Sequence, residues 1–257
     1  RTGVRWGMSR VGQKVAREIK KCRNDFGYFC NKYLRITDKS GKLVPLKLNN
    51  AQKQYMGALE ENPWVYVLKS RKLGMTTIIA AVNFWSALFT PNFCVLVLAH
   101  TDSAAKAIFK IYMRFYNNLP AFLKFPKKLL NKHELEFEHG GYIVAGTSGS
   151  ESARGATFHA LHFSEFAQYE DIDAIIASAL STAGKNPRVA LESTANGLNT
   201  AFNIWNGNNG YKKVFISWLD AEDARETKKP EWIPKELQAL QVTYKLDKPQ
   251  LYWAVDT

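Results

Sequence analysis

The apolar residues of this chain fall into short runs rich in β-branched and aromatic side chains, separated by longer segments of helical character. The short runs have the length and composition of buried strands and cover residues 64–68, 93–99, 159–163, 188–191 and 213–218. The longer segments, such as 78–89 and 103–117, are typical of helices. Because strands alternate with helices over short connections, we predict an α/β fold with a mostly parallel central sheet and helices on both faces.

Capping residues predict where several helices begin. A helical N-terminal segment is expected over residues 1–35, followed by a turn and a short extended piece over 36–47. Asn49 or Asn50 is expected to cap the next helix, and Asp102 is expected to cap the helix over 103–117.

Glycine, proline and asparagine predict the turns. The Gly140-Gly141 pair is expected to join a hairpin of strands 134–138 and 142–145. Residues 184–187, Gly-Lys-Asn-Pro, are expected to form a turn. After two prolines, residues 235–245 are expected to form a helix.

The segment 65–81 has the order strand, basic loop, helix, which is the framework of a phosphate-binding loop. Gly74 and Thr76 occupy the second-glycine and hydroxyl positions of the G-x-x-x-x-G-K-[ST] motif, but Lys69 replaces the first glycine and Met75 replaces the lysine. We expect Lys69 to reach the phosphates from the loop mouth and Thr76 to bind Mg²⁺. The other nucleotide-binding candidates are Ser70, Arg71, Lys72, Gly74, Met75 and Thr77. The alternative is a basic surface turn without a ligand.

A second candidate group follows the apolar strand 159–163. In P-loop enzymes this position carries an Asp that holds the Mg²⁺ shell and a Glu that orients the attacking water. Here Ser164 stands in place of the Asp, and Glu165 keeps the position of the general base. The alternative is a glutamate at the end of a strand that forms a structural salt bridge.

Two further polar groups are candidates for contact with a nucleotide. Ser193, Thr194 and Asn196 follow the strand 188–191 and could present hydroxyls and an amide to a ligand, although a helix cap and turn would explain them too. Gln52, just ahead of the loop, could bind an adenine edge; the alternative is an ordinary exposed helical glutamine. Lys69, Glu165 and Ser193 are all expected at strand C-termini, where such sheets bind ligands.

Composition adds a charge asymmetry. The net charge is +12, and residues 1–53 hold 14 Lys and Arg against 3 Asp and Glu, or +11, which leaves +1 for the rest. This asymmetry favours a polyanionic partner such as DNA, or else a solvated basic leader. The three cysteines lack metal or disulfide spacing, and no apolar run is long enough to span a membrane. A reducing, intracellular setting is therefore expected.

The order of these motifs resembles that of the ATPase domain of large terminase subunits, the DNA-packaging motors of tailed bacteriophages. The resemblance covers roughly residues 45–220. It is carried by Gln52 and by residues 70–77, 97–100, 153–155, 163–165 and 193–197. The resemblance implies an ASCE-type P-loop NTPase fold, with a small N-terminal helical appendage, that uses ATP and Mg²⁺.

The resemblance also implies roles for individual residues. Gln52 would contact adenine, and Glu165 would be the catalytic carboxylate. Either Arg71 or Arg154 would be the arginine finger, and each could instead form a structural ion pair. Mg²⁺ would be held by Thr76 and, through water, by Ser164. The residues that would couple the state of the γ-phosphate to movement are Ser193, Thr194 and Asn196.

The same resemblance implies partners and domain limits. Double-stranded DNA, a portal protein and a small terminase subunit are expected as partners, in the cytoplasm of the infected bacterium. A homo-oligomeric ring is expected during packaging, and the alternative in isolation is a monomer. We expect a basic helical segment over 1–47, an ATPase core over 48–220 and a tail or linker over 221–257, without the nuclease domain of the family. Because Met75 and Ser164 depart from the motifs, a nucleotide-binding assembly module with little hydrolysis is the main alternative, and a helicase-type motor is another.

Overall fold

The structure, a computed structural model, describes residues 9–38, 40–147, 156–220 and 225–255. Within these ranges the helices are α1 (Arg10–Asn24), α2 (Phe26–Tyr33), α3 (Asn50–Glu61), α4 (Met75–Phe89), α5 (Asp102–Asn117), α6 (Ile172–Ser181), α7 (Thr200–Asn206), α8 (Lys235–Tyr244) and α9 (Lys248–Val255). The strands are β1 (Arg35–Thr37), β2 (Leu43–Pro45), β3 (Trp64–Lys69), β4 (Cys94–Ala99), β5 (Lys127–Leu130), β6 (Glu134–Phe137), β7 (Tyr142–Gly146), β8 (Phe158–Ser164), β9 (Ala183–Ser193) and β10 (Lys212–Ile216).

The centre of the molecule is an eight-stranded sheet with the strand order β10-β3-β9-β8-β4-β7-β6-β5. The strands from β10 to β7 pair in parallel, and β6 and β5 add antiparallel pairs at one edge. Strands β1 and β2 form a separate antiparallel hairpin. The predicted α/β class and the mostly parallel sheet are therefore confirmed.

Both faces of the sheet are covered, as strand β4 illustrates. Val95 and Val97 belong to an apolar cluster with residues of α4 and α5, whereas Leu96 and Leu98 belong to a cluster with residues of α6 and α7. Successive side chains of a strand point to opposite faces, so an unbroken apolar run is buried on both sides. This explains why these strands lack polar alternation.

The N-terminal helices pack onto the core. Cys22 of α1 and Phe29 of α2 are fully buried in the apolar cluster that also contains residues of α4. The ring centroids of Phe29 and Phe89 are 5.3 Å apart. The indole of Trp85 donates a hydrogen bond to the carbonyl of Cys22 at 2.8 Å. The apolar side of α1 is thus held against the core, while its basic side chains face outward.

Two local predictions are wrong. The side chain of Thr101, not that of Asp102, caps α5 by accepting a hydrogen bond from the amide of Ala104. The predicted turn over 184–187 lies inside β9, where the pairing with β8 is irregular and Asn186 has a φ of 56°. The cause is that the Gly-Lys-Asn-Pro segment bulges out of the strand instead of ending it.

A last feature of the described ranges is the length and composition of their helices, compared with what a membrane span requires. None of them combines the length and the apolar composition that crossing a membrane requires.

Candidate nucleotide-binding site

The phosphate-loop segment has the predicted framework of strand, loop and helix. Strand β3 ends at Lys69, residues 70–74 form the loop, and α4 begins at Met75. Gly74 caps the helix with a φ of 74°, a left-handed conformation that favours glycine. The amide of Ser70 donates to the carbonyl of Ile216 at 2.9 Å, which ties the start of the loop to β10. The first-turn amides of α4 lie beyond the end of β3, where an anion would be favoured.

Gln52 supports this loop from α3. It forms a capping box with Asn49 at the start of α3, and its Nε2 donates to the carbonyl of Gly74 at 3.0 Å. The side chain is buried, so the alternative of an exposed helical glutamine does not hold. A Cβ added to Gly74 would lie 2.8 Å from Nε2 of Gln52, so the close approach also favours glycine. The predicted contact with adenine stays a prediction.

The other loop side chains point in different directions. Met75 is buried in an apolar cluster with Val65 and Ile78, so its side chain belongs to the core. Arg71 and Lys72 are exposed, and Lys72 has a φ of 62°. Thr77, in the first turn of α4, is half-buried. Lys69 has only 7% of its surface exposed and is therefore the loop cation held inside the site.

Lys69 and Glu165 are brought together from two strands. The Nζ of Lys69 lies 2.7 Å from Oε1 of Glu165. Glu165 has a left-handed backbone, with φ 50° and ψ 43°, at the point where β8 ends and a short 3₁₀ turn over Phe166–Gln168 begins. A non-glycine residue in this conformation is uncommon and is often found at functional sites.

The segment after β9 contacts Glu165 and the 3₁₀ turn. Both the amide and the hydroxyl of Thr194 donate to Oε2 of Glu165, at 3.1 and 3.3 Å. Ser193 Oγ accepts a hydrogen bond from the amide of Ala167 at 3.3 Å, and Asn196 Nδ2 donates to the carbonyl of Ala167 at 2.8 Å. The predicted coupling residues thus link Glu165 and the residues after it to the end of β9.

Glu192 is a residue of the site that the sequence prediction missed. It is fully buried, and its Oε1 accepts hydrogen bonds from Thr76 Oγ1 at 2.6 Å and Ser164 Oγ at 3.1 Å, with His162 Nε2 at 3.0 Å. Burial acts to raise the pKa of Glu192, but His162, Lys69 and Thr76 outweigh it and hold the pKa below its ordinary value. The available signal was a single carboxylate in the otherwise apolar run from Val189.

The arrangement can bind a phosphate chain and position a carboxylate beside it. Lys69, Thr76, Ser164, Glu165, Ser193 and Thr194 converge at the C-terminal ends of β3, β8 and β9. Arg154 lies outside the described residues. Across the described ranges, no three His, Cys, Asp or Glu side chains form a metal-binding cluster. A divalent cation here would therefore depend on hydroxyls, a carboxylate and phosphates together.

The parallel sheet and the strand–loop–helix segment define a protein of the P-loop fold class. A family model described as "Terminase large subunit, T4likevirus-type, N-terminal" matches residues 66–252. The chain belongs to this terminase large-subunit family, a family of DNA-packaging motors, as the motif order had suggested. The match begins later and extends further than the range of 45–220 expected from the motifs.

Solved structures agree on the fold. The large terminase of bacteriophage HK97 is 17% identical with a TM-score of 0.61, over 88% of this chain and 48% of that one. The large terminase ATPase domain of Thermus phage P74-26 is 13% identical with a TM-score of 0.52, over 81% of this chain and 91% of that one. The large terminase of a thermophilic bacteriophage, in complex with ADP, is 12% identical with a TM-score of 0.52, over 77% of this chain and 51% of that one. The chain therefore spans about half the length of the HK97 terminase and of the terminase in the ADP complex.

Proposed function

We propose that this chain is an ATP-hydrolysing motor domain that drives double-stranded viral DNA into a procapsid. The observation that carries the proposal is the ion pair of Lys69 and Glu165 at 2.7 Å, beside the N-terminus of α4. A phosphate-binding cation and a candidate catalytic carboxylate share one edge of the sheet in a chain of the terminase family. The ADP complex of the large terminase from the thermophilic bacteriophage supports a nucleotide as the ligand.

Nucleotide binding would begin when Lys69 leaves Glu165 and pairs with the phosphates instead. A triphosphate carries more negative charge than Glu165 and would compete for the ammonium, with the first-turn amides of α4 as further donors. Met75 cannot supply this charge because its thioether is uncharged, and its side chain is buried in the core. Gln52, Ser70, Arg71, Lys72, Gly74 and Thr77 would contact the nucleotide around the loop, and Mg²⁺ would be held by Thr76 and, through water, by Ser164.

Hydrolysis would then depend on Glu165. Once it is released from Lys69, its carboxylate could accept a proton from a water aligned with the γ-phosphorus, while cations stabilise the charge on the phosphoryl oxygens. Thr194 already donates two hydrogen bonds to the other oxygen of Glu165. A shift of Glu165 would therefore be transmitted to Ser193, Thr194 and Asn196, the proposed coupling segment. Arg71 or Arg154 would act as the arginine finger.

The DNA contact is proposed for the basic face of α1. This helix has six basic residues against one acidic residue, and the acidic one, Glu18, is hydrogen-bonded by Tyr28 at 2.6 Å and Lys32 at 2.9 Å. Its exposed cations are Arg10, Lys14, Arg17, Lys20, Lys21 and Arg23. Phosphate contacts of this kind give salt-sensitive binding without sequence preference.

The assembly follows from the family and is also a proposal. The partners would be a portal protein, a small terminase subunit and further copies of the chain in a ring, in the cytoplasm of the infected host. The proposed division into a basic segment (1–47), an ATPase core (48–220) and a tail (221–257) treats α1 and α2 as an appendage, although both are packed against the core.

A second candidate is a nucleotide-binding assembly module with little hydrolysis, favoured by Met75 and by the neutralisation of Lys69 by Glu165. Steady-state phosphate release, measured with and without duplex DNA, separates the two. The motor predicts turnover that DNA stimulates, whereas the module predicts saturable nucleotide binding with no turnover above background.

A further inference from the structure

The strand order places β9 between the strand of the phosphate loop and the acidic strand. Leu68 of β3 is paired with Ser193, and Ser164 of β8 is paired with Glu192. Glu192 and Ala190 lie on the same face of β9, and Ala190 packs in the cluster that contains Met75 and Ile78 of α4. The carboxylate of Glu192 therefore projects toward the first turn of the phosphate-loop helix.

Glu192 contacts both hydroxyls that the sequence assigned to the metal shell. Its Oε1 accepts from Thr76 Oγ1 at 2.6 Å and from Ser164 Oγ at 3.1 Å. In P-loop NTPases the loop hydroxyl and an acidic-strand Asp act together on Mg²⁺. Here the acidic-strand position has only a hydroxyl, and a carboxylate reaches the same place from the neighbouring strand.

The second carboxylate oxygen of Glu192 differs from the first in its contacts. Oε2 has no hydrogen-bond partner among the described residues, although the residue is fully buried. The Nζ of Lys69 lies 3.8 Å from this oxygen. A buried carboxylate oxygen without a hydrogen bond is costly, so one that persists beside a cation marks a place suited to positive charge.

We propose that Glu192 provides the Mg²⁺-positioning carboxylate that Ser164 lacks, acting on the metal shell together with Thr76. This inference rests on the proposed nucleotide site and assigns its metal-holding residue. The donor set fits, because Mg²⁺ is commonly bound through one or two carboxylates, retained waters and substrate phosphates. His162, whose Nε2 lies 3.0 Å from Glu192 Oε1, is a positioning residue for that carboxylate.

The test measures metal dependence separately from catalysis. A fluorescent ADP analogue is titrated into the protein with EDTA and then with increasing Mg²⁺, and the half-saturating Mg²⁺ concentration is recorded. Glu192→Gln should retain binding in EDTA but need roughly 10- to 100-fold more Mg²⁺, the range typical of losing a group that orients metal ligands. Glu60→Gln, at an exposed position of α3, is the matched control and should behave like the wild type.

A double variant makes the assignment specific. Ser164→Asp combined with Glu192→Gln returns the carboxylate to the acidic strand, and it should bring the Mg²⁺ requirement back toward the wild-type value. A merely structural role for Glu192 would not be rescued in this way. A double variant that needs as much Mg²⁺ as Glu192→Gln would show that a carboxylate at position 164 cannot replace the one at position 192. That result would overturn the proposal.

Other outcomes distinguish this inference from the proposed function. An unchanged Mg²⁺ requirement in Glu192→Gln overturns the inference alone, whereas a wild-type protein that binds no nucleotide overturns the proposed function as well. If Glu192→Gln fails to fold, Mn²⁺ with ADP bound to the wild-type protein is located by anomalous diffraction. A metal beside the Glu192 carboxylate, directly or through one water, supports the inference, and a metal that contacts only phosphates overturns it.

Discussion

The ammonium of Lys69 and the carboxylate of Glu165 form an ion pair at 2.7 Å that crosses the end of strand β9. Their side chains come from residues 96 positions apart, and the parallel pairing of β3, β9 and β8 brings them together. In the proposed mechanism, the pair holds in one place the cation that would bind the phosphates and the carboxylate that would activate the water. The proposed mechanism therefore requires that a bound nucleotide separate Lys69 from Glu165.

Lys69→Met should weaken nucleotide binding by roughly 10- to 100-fold, since it removes a charge-assisted contact to the phosphates. Isothermal titration with ADP measures the change. Met75→Leu is the matched control: it conserves volume at a core position and should leave the affinity close to that of the wild type. The reverse order of effects would reject Lys69 as the cation that replaces the missing loop lysine.

Glu165→Gln should lower the rate of phosphate release by about 10²- to 10⁴-fold, the range of a lost general base. Nucleotide affinity should be unchanged or higher. In the variant, Lys69 can bind the phosphates without first breaking an ion pair with residue 165. Steady-state phosphate release and a parallel binding titration provide both numbers. Turnover that survives the substitution would show that another group activates the water.

Gly74→Ala should destabilise the protein by about 1–2 kcal/mol, since alanine is strained at a φ of 74°. The added Cβ would also press on Gln52 Nε2 at 2.8 Å, so the loop should distort and nucleotide affinity should fall. Urea unfolding measures the stability. Gly57→Ala, in the interior of α3 with no atom within 4 Å of the new Cβ, should instead stabilise by up to about 1 kcal/mol. Equal stability of the two variants would contradict the assigned loop conformation.

Glu18→Gln should reduce stability at neutral pH by about 1 kcal/mol, a modest value because the pair with Lys32 is partly exposed. Hydrogen bonds from Tyr28, Tyr33 and Lys32 lower the pKa of Glu18 to about 2 from 4.5. A lowered folded-state pKa gives stability that is complete above pH 4.5 and is lost as the pH falls toward 2. Urea unfolding at several pH values should show the two proteins converging in acid. A difference that grows on acidification would contradict a stabilising role for the ionised Glu18 carboxylate.

Reversing the charges of Arg10, Lys14 and Arg17 to Glu should weaken duplex DNA binding and flatten its salt dependence. Each lost phosphate contact lowers the slope of log K against log salt by about 0.9. Fluorescence anisotropy at several salt concentrations measures the slope. Reversal of Lys228, Lys229 and Lys235, also exposed, is the charge-matched control. Equal losses in both variants would mean that net charge, and not the surface of α1, determines binding.

The elements that were predicted correctly are those whose sequence signals, an apolar run or a capping residue, lie within the element itself or next to it. The apolar run that forms β3 and the Asn49 cap of α3 carry their signals within a few residues. Strand β5 was missed because its four residues begin with two exposed lysines, and α9 was missed because Pro249 lies in its first turn. The bulge in β9 contains the residues that usually make a turn, and only its pairing with β8 reveals a continuous strand.

The members of the candidate site that the sequence could name lie at a strand end or in the first turn of the helix after the loop. Lys69, Thr76 and Glu165 could be named because strand–loop–helix order and an acidic strand end are local patterns. The contacts of Glu192 with Thr76 and Ser164 could not, because they depend on β9 lying between β3 and β8. Strand order is a property of the whole sheet, which no local pattern contains.

The most direct test of the motor proposal is a crystal structure with Mg²⁺, ADP and beryllium fluoride as a mimic of the γ-phosphate. In this complex the Nζ of Lys69 should leave Glu165 for the phosphates, and the Glu165 carboxylate should face the mimic with a water between them. A nucleotide bound elsewhere, with the pair of Lys69 and Glu165 still closed, would contradict the motor proposal.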